Sequence, residues 1–226
     1  MDSQKWDRRN IRCRCGYLAG TCARIECPHQ LKSGDLSSLW VEGWALSKYS
    51  STPYRKTPIG SLIKRIKYGK SPYYSLAKRT LDAKYISDEI VKMIKWLYDP
   101  SNLPFDVCIC PPSHQVKPLD LPDFICKKIS GGSIKYVENA LIERIPLTTI
   151  KAGPKQERGP KLRDNFIFDS PVDAYPSKGV LIIDDVFDTG STITGVSRAV
   201  SMEFPQIPQY VITAAYIGRM GKVSAI

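Results

Sequence analysis

The sequence predicts an α/β domain with a mostly parallel sheet flanked by helices, on three observations. Short apolar runs at 105–110, 134–137, 180–183 and 209–217 are each bounded by turn residues. Stretches of helical period lie between them, and that alternation is the mark of parallel sheets with crossover helices. The run Val180-Leu181-Ile182-Ile183 also ends in two carboxylates, Asp184 and Asp185, and a turn with a single glycine. In open α/β sheets such carboxyl ends are where ligands gather.

The N-terminal stretch departs from this pattern. Residues 1–36 are expected to form a small cysteine-rich module ahead of an α/β domain over 37–226. They hold Cys13, Cys15, Cys22 and Cys27, four of the seven cysteines, with His29 close behind. In a reducing compartment such a cluster points to a metal more than to disulfides. Four thiolates could close a tetrahedral Zn²⁺ shell, with His29 able to replace one of them. The Cys13-x-Cys15 gap is tighter than the usual two residues, so reduced thiols without a metal stand as the other reading.

Trp40, Trp44 and Leu46 alternate over 38–49 as one or two strands, with a hairpin turn expected at Gly43. Pro53 and Pro58 break the chain before a helix over 59–68, in which Leu62, Ile63 and Ile66 share a face and Lys64, Arg65 and Lys67 lie on others. Gly69 stops it. Ile86, Ile90, Met93 and Leu97 recur at helical spacing over 74–98, and Asp99-Pro100 ends that helix. The strand at 105–110 opens into Pro111-Pro112-Ser113-His114, where proline cannot continue a paired strand. A helix over 119–129, a turn at Gly131-Gly132 and a strand at 134–137 follow. Residues 144–168 lack strong periodicity, are basic and are punctuated by Gly153-Pro154 and Gly159-Pro160. They read as a long mobile loop, and loops of that length inside a compact domain are commonly functional. A helix over 191–203 and a strand over 209–217 close the pattern.

The stretch from Asp184 to Thr192 carries the chemistry. Thr189-Gly190-Ser191-Thr192 is a small, hydroxyl-rich turn ahead of a helix, where backbone N–H groups and the positive end of the helix dipole favour a phosphate. Two carboxylates cannot bind phosphate, but they accept hydrogen bonds from neutral hydroxyls or approach a divalent cation. Together these features describe a phosphorylated sugar. A receiver domain also places Asp-Asp after a strand, but near its start and without this turn. Phosphatases that need Asp-x-Asp on one strand do not fit the spacing. A purely structural reading has Asp185 or Asp188 capping the next helix.

Residues 180–192 also resemble the thirteen-residue signature of the type I phosphoribosyltransferases. With the cysteines, Leu62-Ile63-Lys64-Arg65-Ile66-Lys67-Tyr68-Gly69, and Gln156, Arg163 and Asn165, the chain is similar to the ComF family of competence-associated phosphoribosyltransferase-like proteins. It departs from that family in lacking Pro-Val-Pro after the first sheet strand and any Arg-Gly-Phe. The turn reads Asp188-Thr189-Gly190, as in the purine salvage enzymes.

The resemblance implies a type I phosphoribosyltransferase fold and an enzyme that binds 5-phosphoribosyl-1-pyrophosphate with Mg²⁺ and transfers phosphoribosyl to a nitrogenous acceptor. Asp184 and Asp185 would take the ribose hydroxyls, and Thr189, Gly190, Ser191 and Thr192 the 5-phosphate. Asp188 is the candidate catalytic acid or base. Pro111, Pro112 and Ser113 would wall the pyrophosphate side, with Lys151, Lys155, Gln156, Arg158 and Arg163 on the lid.

A net charge of +11 invites a polyanion. Between Lys48 and Lys84, ten cations face the single acid Asp82, interleaved with Tyr49, Tyr54, Tyr68, Tyr73 and Tyr74. Such a segment suits single-stranded nucleic acid. The alternative function is therefore a non-catalytic, DNA-binding accessory protein of DNA uptake or processing. A merely solvated basic face is the bland counterpart. No apolar run approaches the roughly 18 residues of a membrane span, and the polar first residues do not resemble a secretory signal. The expected location is the cytoplasm, with no membrane partner. An oligomer is compatible with the sequence.

Overall fold

The computed structural model describes residues 28–31, 39–52, 55–69, 73–113, 119–169 and 175–217, apart from the side chains of 151, 155 and 156. Cys13, Cys15, Cys22 and Cys27 lie outside them, as does His114.

Six strands form the main sheet. In spatial order they are β1 (His29–Gln30), β2 (Glu42–Lys48), β8 (Gln209–Tyr216), β7 (Val180–Phe187), β3 (Val107–Ile109) and β4 (Lys135–Tyr136). Every pairing is parallel except that of β1 with β2. The sheet is therefore mixed, with a parallel body and one antiparallel edge strand. Gly43 turns no hairpin. It pairs with Val211 in the interior of β2, because the alternation around Trp44 belongs to one continuous strand. His29 and Gln30 fill the edge, and Leu31 packs into the core.

Helices α1 (Pro58–Tyr68), α2 (Leu76–Leu97) and α3 (Leu121–Ile129) cover one face of the sheet, bringing Ile63, Ile66, Ile86, Ile90 and Ile125 onto Leu181, Ile183 and Ile212. Helices α4 (Leu147–Ala152), α5 (Lys155–Arg163) and α6 (Ser191–Glu203) join the other face, where Leu147, Leu162, Ile193, Val196 and Val200 meet Val180, Ile182 and Val211. A two-stranded antiparallel sheet of β5 (Leu141–Glu143) and β6 (Phe166–Phe168) lies on that side. Strands alternate their side chains between faces, so a strand covered twice must be apolar throughout. Val180 to Ile183 are all fully buried.

Local signals set the helix boundaries. Thr57 caps α1, its hydroxyl accepting from Gly60 N at 2.9 Å and donating to Lys48 O at 2.6 Å, with Pro58 in the first turn. Ser75 caps α2, and Asp99 follows its end.

The basic stretch over 144–168 is not a loop. It follows β5 and folds as α4, α5 and β6, with Pro160 inside α5. Its periodicity is weak because few of its residues are buried; Leu147, Ile150 and Leu162 anchor the two short helices. Asn165 is buried and bridges the segment, its amide donating to Ile145 O and accepting from Ile145 N, both at 2.9 Å. Gly195 lets α6 approach this layer, since a Cβ there would press into Leu162 O.

Asp106 secures the entry to β7. Its carboxylate accepts from the N–H groups of Ser177 at 2.9 Å, Lys178 at 3.1 Å and Gly179 at 3.3 Å, and from the Ser177 hydroxyl. Partial burial pushes this carboxyl up, but the hydrogen bonds from Ser177, Lys178 and Gly179 outweigh it and hold it below the ordinary 3.8. A depressed folded value means stabilisation that is present above the unfolded value and lost as pH falls through the folded one. Asp106→Asn should cost about 1–2 kcal/mol at neutral pH, discounted for exposure. Urea titrations from pH 6 down to pH 2 should show the difference from wild type shrinking below pH ~3.8; a difference that stays constant over that range would contradict this role.

Candidate functional site

The site forms where the two covers of β7 end. The crossover from β3 through α3 leads to β4 on one side, and that from β7 through α6 leads to β8 on the other. Neighbouring strands whose connections diverge leave a crevice at their carboxyl ends. Asp184 and Asp185, half-buried, are the first residues of β7 to escape full burial. They stand within the strand, ahead of the turn. Asp184 folds back to accept from Asp185 N at 2.7 Å.

Beyond Phe187 the chain turns through Asp188, Thr189 and Gly190 into α6. Gly190 holds φ 76°, the left-handed region, and a Cβ there would lie 2.8 Å from the Phe187 ring. That ring is fixed by an edge contact to Trp40 at 6.5 Å. As the N-cap, Gly190 offers no side chain to the first turn of α6, which also carries no acidic residue. The first turn of this thirteen-residue helix thus gets no side-chain bond from its cap residue, and Ser191 N–H donates to the Thr189 hydroxyl at 3.4 Å. The hydroxyls of Thr189 and Ser191 are 2.8 Å apart and hydrogen-bonded to each other, and the Thr194 hydroxyl donates to Gly190 O at 2.9 Å. The turn is thus braced from within. Asp188 and Thr189 are exposed at its lip, and Ser191 and Thr192 half-buried.

Pro111, Pro112 and Ser113 continue from β3, beside Asp184 and Asp185 in the sheet order, and go from buried to exposed. Next to them the Tyr136 hydroxyl donates to Asp123 Oδ1 at 2.8 Å and lies 3.4 Å from Cys110 Sγ. Burial, then the Cys110 thiol, pushes that phenol far above its ordinary range, so it stays neutral. This flank is polar, with the neutral phenol beside the Asp123 carboxylate that pairs with Lys127 at 3.1 Å.

The basic helix α5 lies against the start of α6, where Gly159 faces the Ser191 hydroxyl. Its cations are partly committed. Arg158 donates to Gly153 O at 3.1 Å, and Lys161 pairs with Glu157. Arg163 is exposed. Lys151, Lys155 and Gln156 belong to α4 and α5 by backbone.

Lys67 is the residue that the sequence reading placed elsewhere. From the last turn of α1 its ammonium meets Asp185 Oδ2 at 2.6 Å. Burial lowers its proton affinity, but the Asp185 carboxylate outweighs that and raises the ammonium above its ordinary 10.5, with Asp184 adding to it. One signal was present: Lys67 stands four residues after the buried Ile63, on the flank of the apolar stripe.

For a divalent cation, the donors on β7 are the carboxylates of Asp184 and Asp185, the second ion-paired with Lys67. No group of three or more metal-ligating side chains occurs among the described residues. This set suits Mg²⁺ that brings its own water and substrate oxygens, as that ion commonly does. No family model matches the chain, and no curated protein matches it.

Gly190→Ala should lower stability by about 1–3 kcal/mol through left-handed strain and the clash with Phe187. Phe187→Leu in the same chain should recover only the part due to the clash. Thermal unfolding of the two variants measures this, and a silent Gly190→Ala would refute the turn geometry.

Proposed function

We propose that the chain is a phosphoribosyltransferase, binding 5-phosphoribosyl-1-pyrophosphate and passing its phosphoribosyl group to a nitrogenous acceptor. One observation carries this reading. Two adjacent carboxylates near the end of a central strand lead, through a left-handed glycine, into a helix N-terminus whose cap residue has no side chain. The N–H groups and hydroxyls at the start of α6 suit a 5-phosphate, and Asp184 and Asp185 suit the ribose hydroxyls a few residues back along the chain.

In such a transfer the bond from ribose C1 to the pyrophosphate oxygen breaks, the oxygen keeps the electron pair, and a nitrogen lone pair forms the new bond to C1. The transition state resembles an oxocarbenium ion. Carboxylates near the sugar ring favour that charge, and the fully buried Ile183 just before them marks where the dry core begins. Asp188, exposed at the lip, is placed to take or give a proton once an acceptor base comes within hydrogen-bond reach. Mg²⁺, when bound with the donor near Asp184 and Asp185, would neutralise charge on the leaving pyrophosphate.

A second reading is favoured by the outer surface of α1 and α2. Tyr68, Tyr73 and Tyr85 are 65%, 84% and 54% exposed among the exposed Lys64, Lys78 and Lys84. Aromatic faces interleaved with cations suit single-stranded DNA. The surface is narrower than the sequence suggests, because Lys67 turns to Asp185 and Arg79 is buried.

Calorimetry with the donor and Mg²⁺ should show binding that weakens about tenfold or more in the Asp184→Asn, Asp185→Asn double variant. Unchanged affinity would remove the assignment. DNA binding of the second reading should fall steeply with salt, and its absence at low salt would dismiss that reading.

A further inference from the structure

Two carboxylates are a poor neighbour for a polyanionic donor unless a cation stands between them. The ion pair of Lys67 with Asp185 supplies one, and the structure holds it there by construction. Arg79, a buried arginine on α2, donates to Ile66 O and Gly69 O, the backbone carbonyls on either side of Lys67. The Tyr74 ring lies 5.6 Å from the Arg65 guanidinium and 5.9 Å from that of Arg79. Arg65 in turn pairs with Asp82 at 3.0 Å. Burying an arginine costs several kcal/mol unless its hydrogen bonds are made, so this is a costly way to end a surface helix. Its effect is to fix the backbone that carries Lys67. The pair itself is not sealed, since the side chains of Lys67 and Asp185 remain 20% and 13% exposed.

We propose that Lys67 is an anion-binding residue of the donor site that changes partners. In the empty site it neutralises Asp185. When the donor enters, ribose hydroxyls take over that carboxylate and the ammonium passes to the pyrophosphate oxygens, so one cation serves two anions in turn. This inference rests on the phosphoribosyl reading of the site, but it concerns the pyrophosphate half alone. An ammonium suits the task because it is a compact point charge on a flexible stem with three rotatable donors.

Inorganic pyrophosphate, titrated calorimetrically into the full chain in metal-free buffer at fixed ionic strength, tests it. Lys67→Met should weaken pyrophosphate about tenfold, and Asp185→Asn, which frees the ammonium, should tighten it about fivefold. Lys67→Met leaves Asp185 without its cation and could fold poorly, so the neutral pair Lys67→Met with Asp185→Asn is measured beside it. That pair should bind pyrophosphate more weakly than Asp185→Asn, from which it differs only in lacking the ammonium; equal binding by the two overturns the proposal. Ribose 5-phosphate, which lacks the pyrophosphate, should bind the neutral pair and Asp185→Asn alike. Wild-type chain that fails to bind pyrophosphate overturns the proposal, as does an Asp185→Asn variant that binds it no tighter. Wild-type binding of pyrophosphate without binding of the full donor, with these signs intact, leaves Lys67 as an anion site and sinks the transferase reading instead.

Discussion

The structure depends on the double burial of β7. This strand is paired on both edges, by β8 and β3, and covered on both faces by helices, so for four residues no solvent reaches it. A charge within that stretch would have to be desolvated with no partner at hand. The first position where a carboxylate is tolerable is where both covers stop, and Asp184 and Asp185 occupy it. The end of the hydrophobic core and the beginning of the site are the same boundary, drawn by the same strand.

Electrostatic order follows from that boundary. The turn after β7 presents the positive end of α6, while the strand presents two negative groups just before it. Opposite charges kept this close need rigid spacing, which Gly190, Phe187 and Trp40 provide on one side. On the other side, α1 and its Arg79 clamp hold Lys67 against Asp185. The β3 flank contributes the neutral Tyr136 phenol and the Asp123 carboxylate, whose charge Lys127 offsets. The crevice is thus polarised from the α1 side and from the α6 helix end.

Asp106 plays the same kind of part at the opposite end of β7, binding three consecutive N–H groups as the chain enters the strand. It sets the pairing of β7 with β3, and through that the height at which Asp184 and Asp185 emerge beside Pro111. Register is shared along a strand, so a bond made at its beginning positions groups at its end.

What the sequence by itself determined was the set of elements whose signal is local. The period of Ile86, Ile90 and Met93, the break at Pro58 before α1, and the unbroken apolar run at Val180 each depend on neighbours within a turn or a strand. The polar turn from Asp188 to Thr192 was legible for the same reason. Tertiary structure alone decided three things. Residues 144–168 became two helices and a strand despite Gly153-Pro154 and Gly159-Pro160, because contact with α6 and the Asn165 bridge outweighs weak propensity. Gly43 stayed inside a strand, because β8 and β1 both pair with β2. Lys67 left the basic surface for the site. A sequence states that a lysine is charged, but which carboxylate it meets 118 positions away is set by how α1 packs across the sheet. The candidate site was therefore readable on β7 and its turn, where the residues are contiguous, and unreadable on α1, where only the folded chain brings the cation to them.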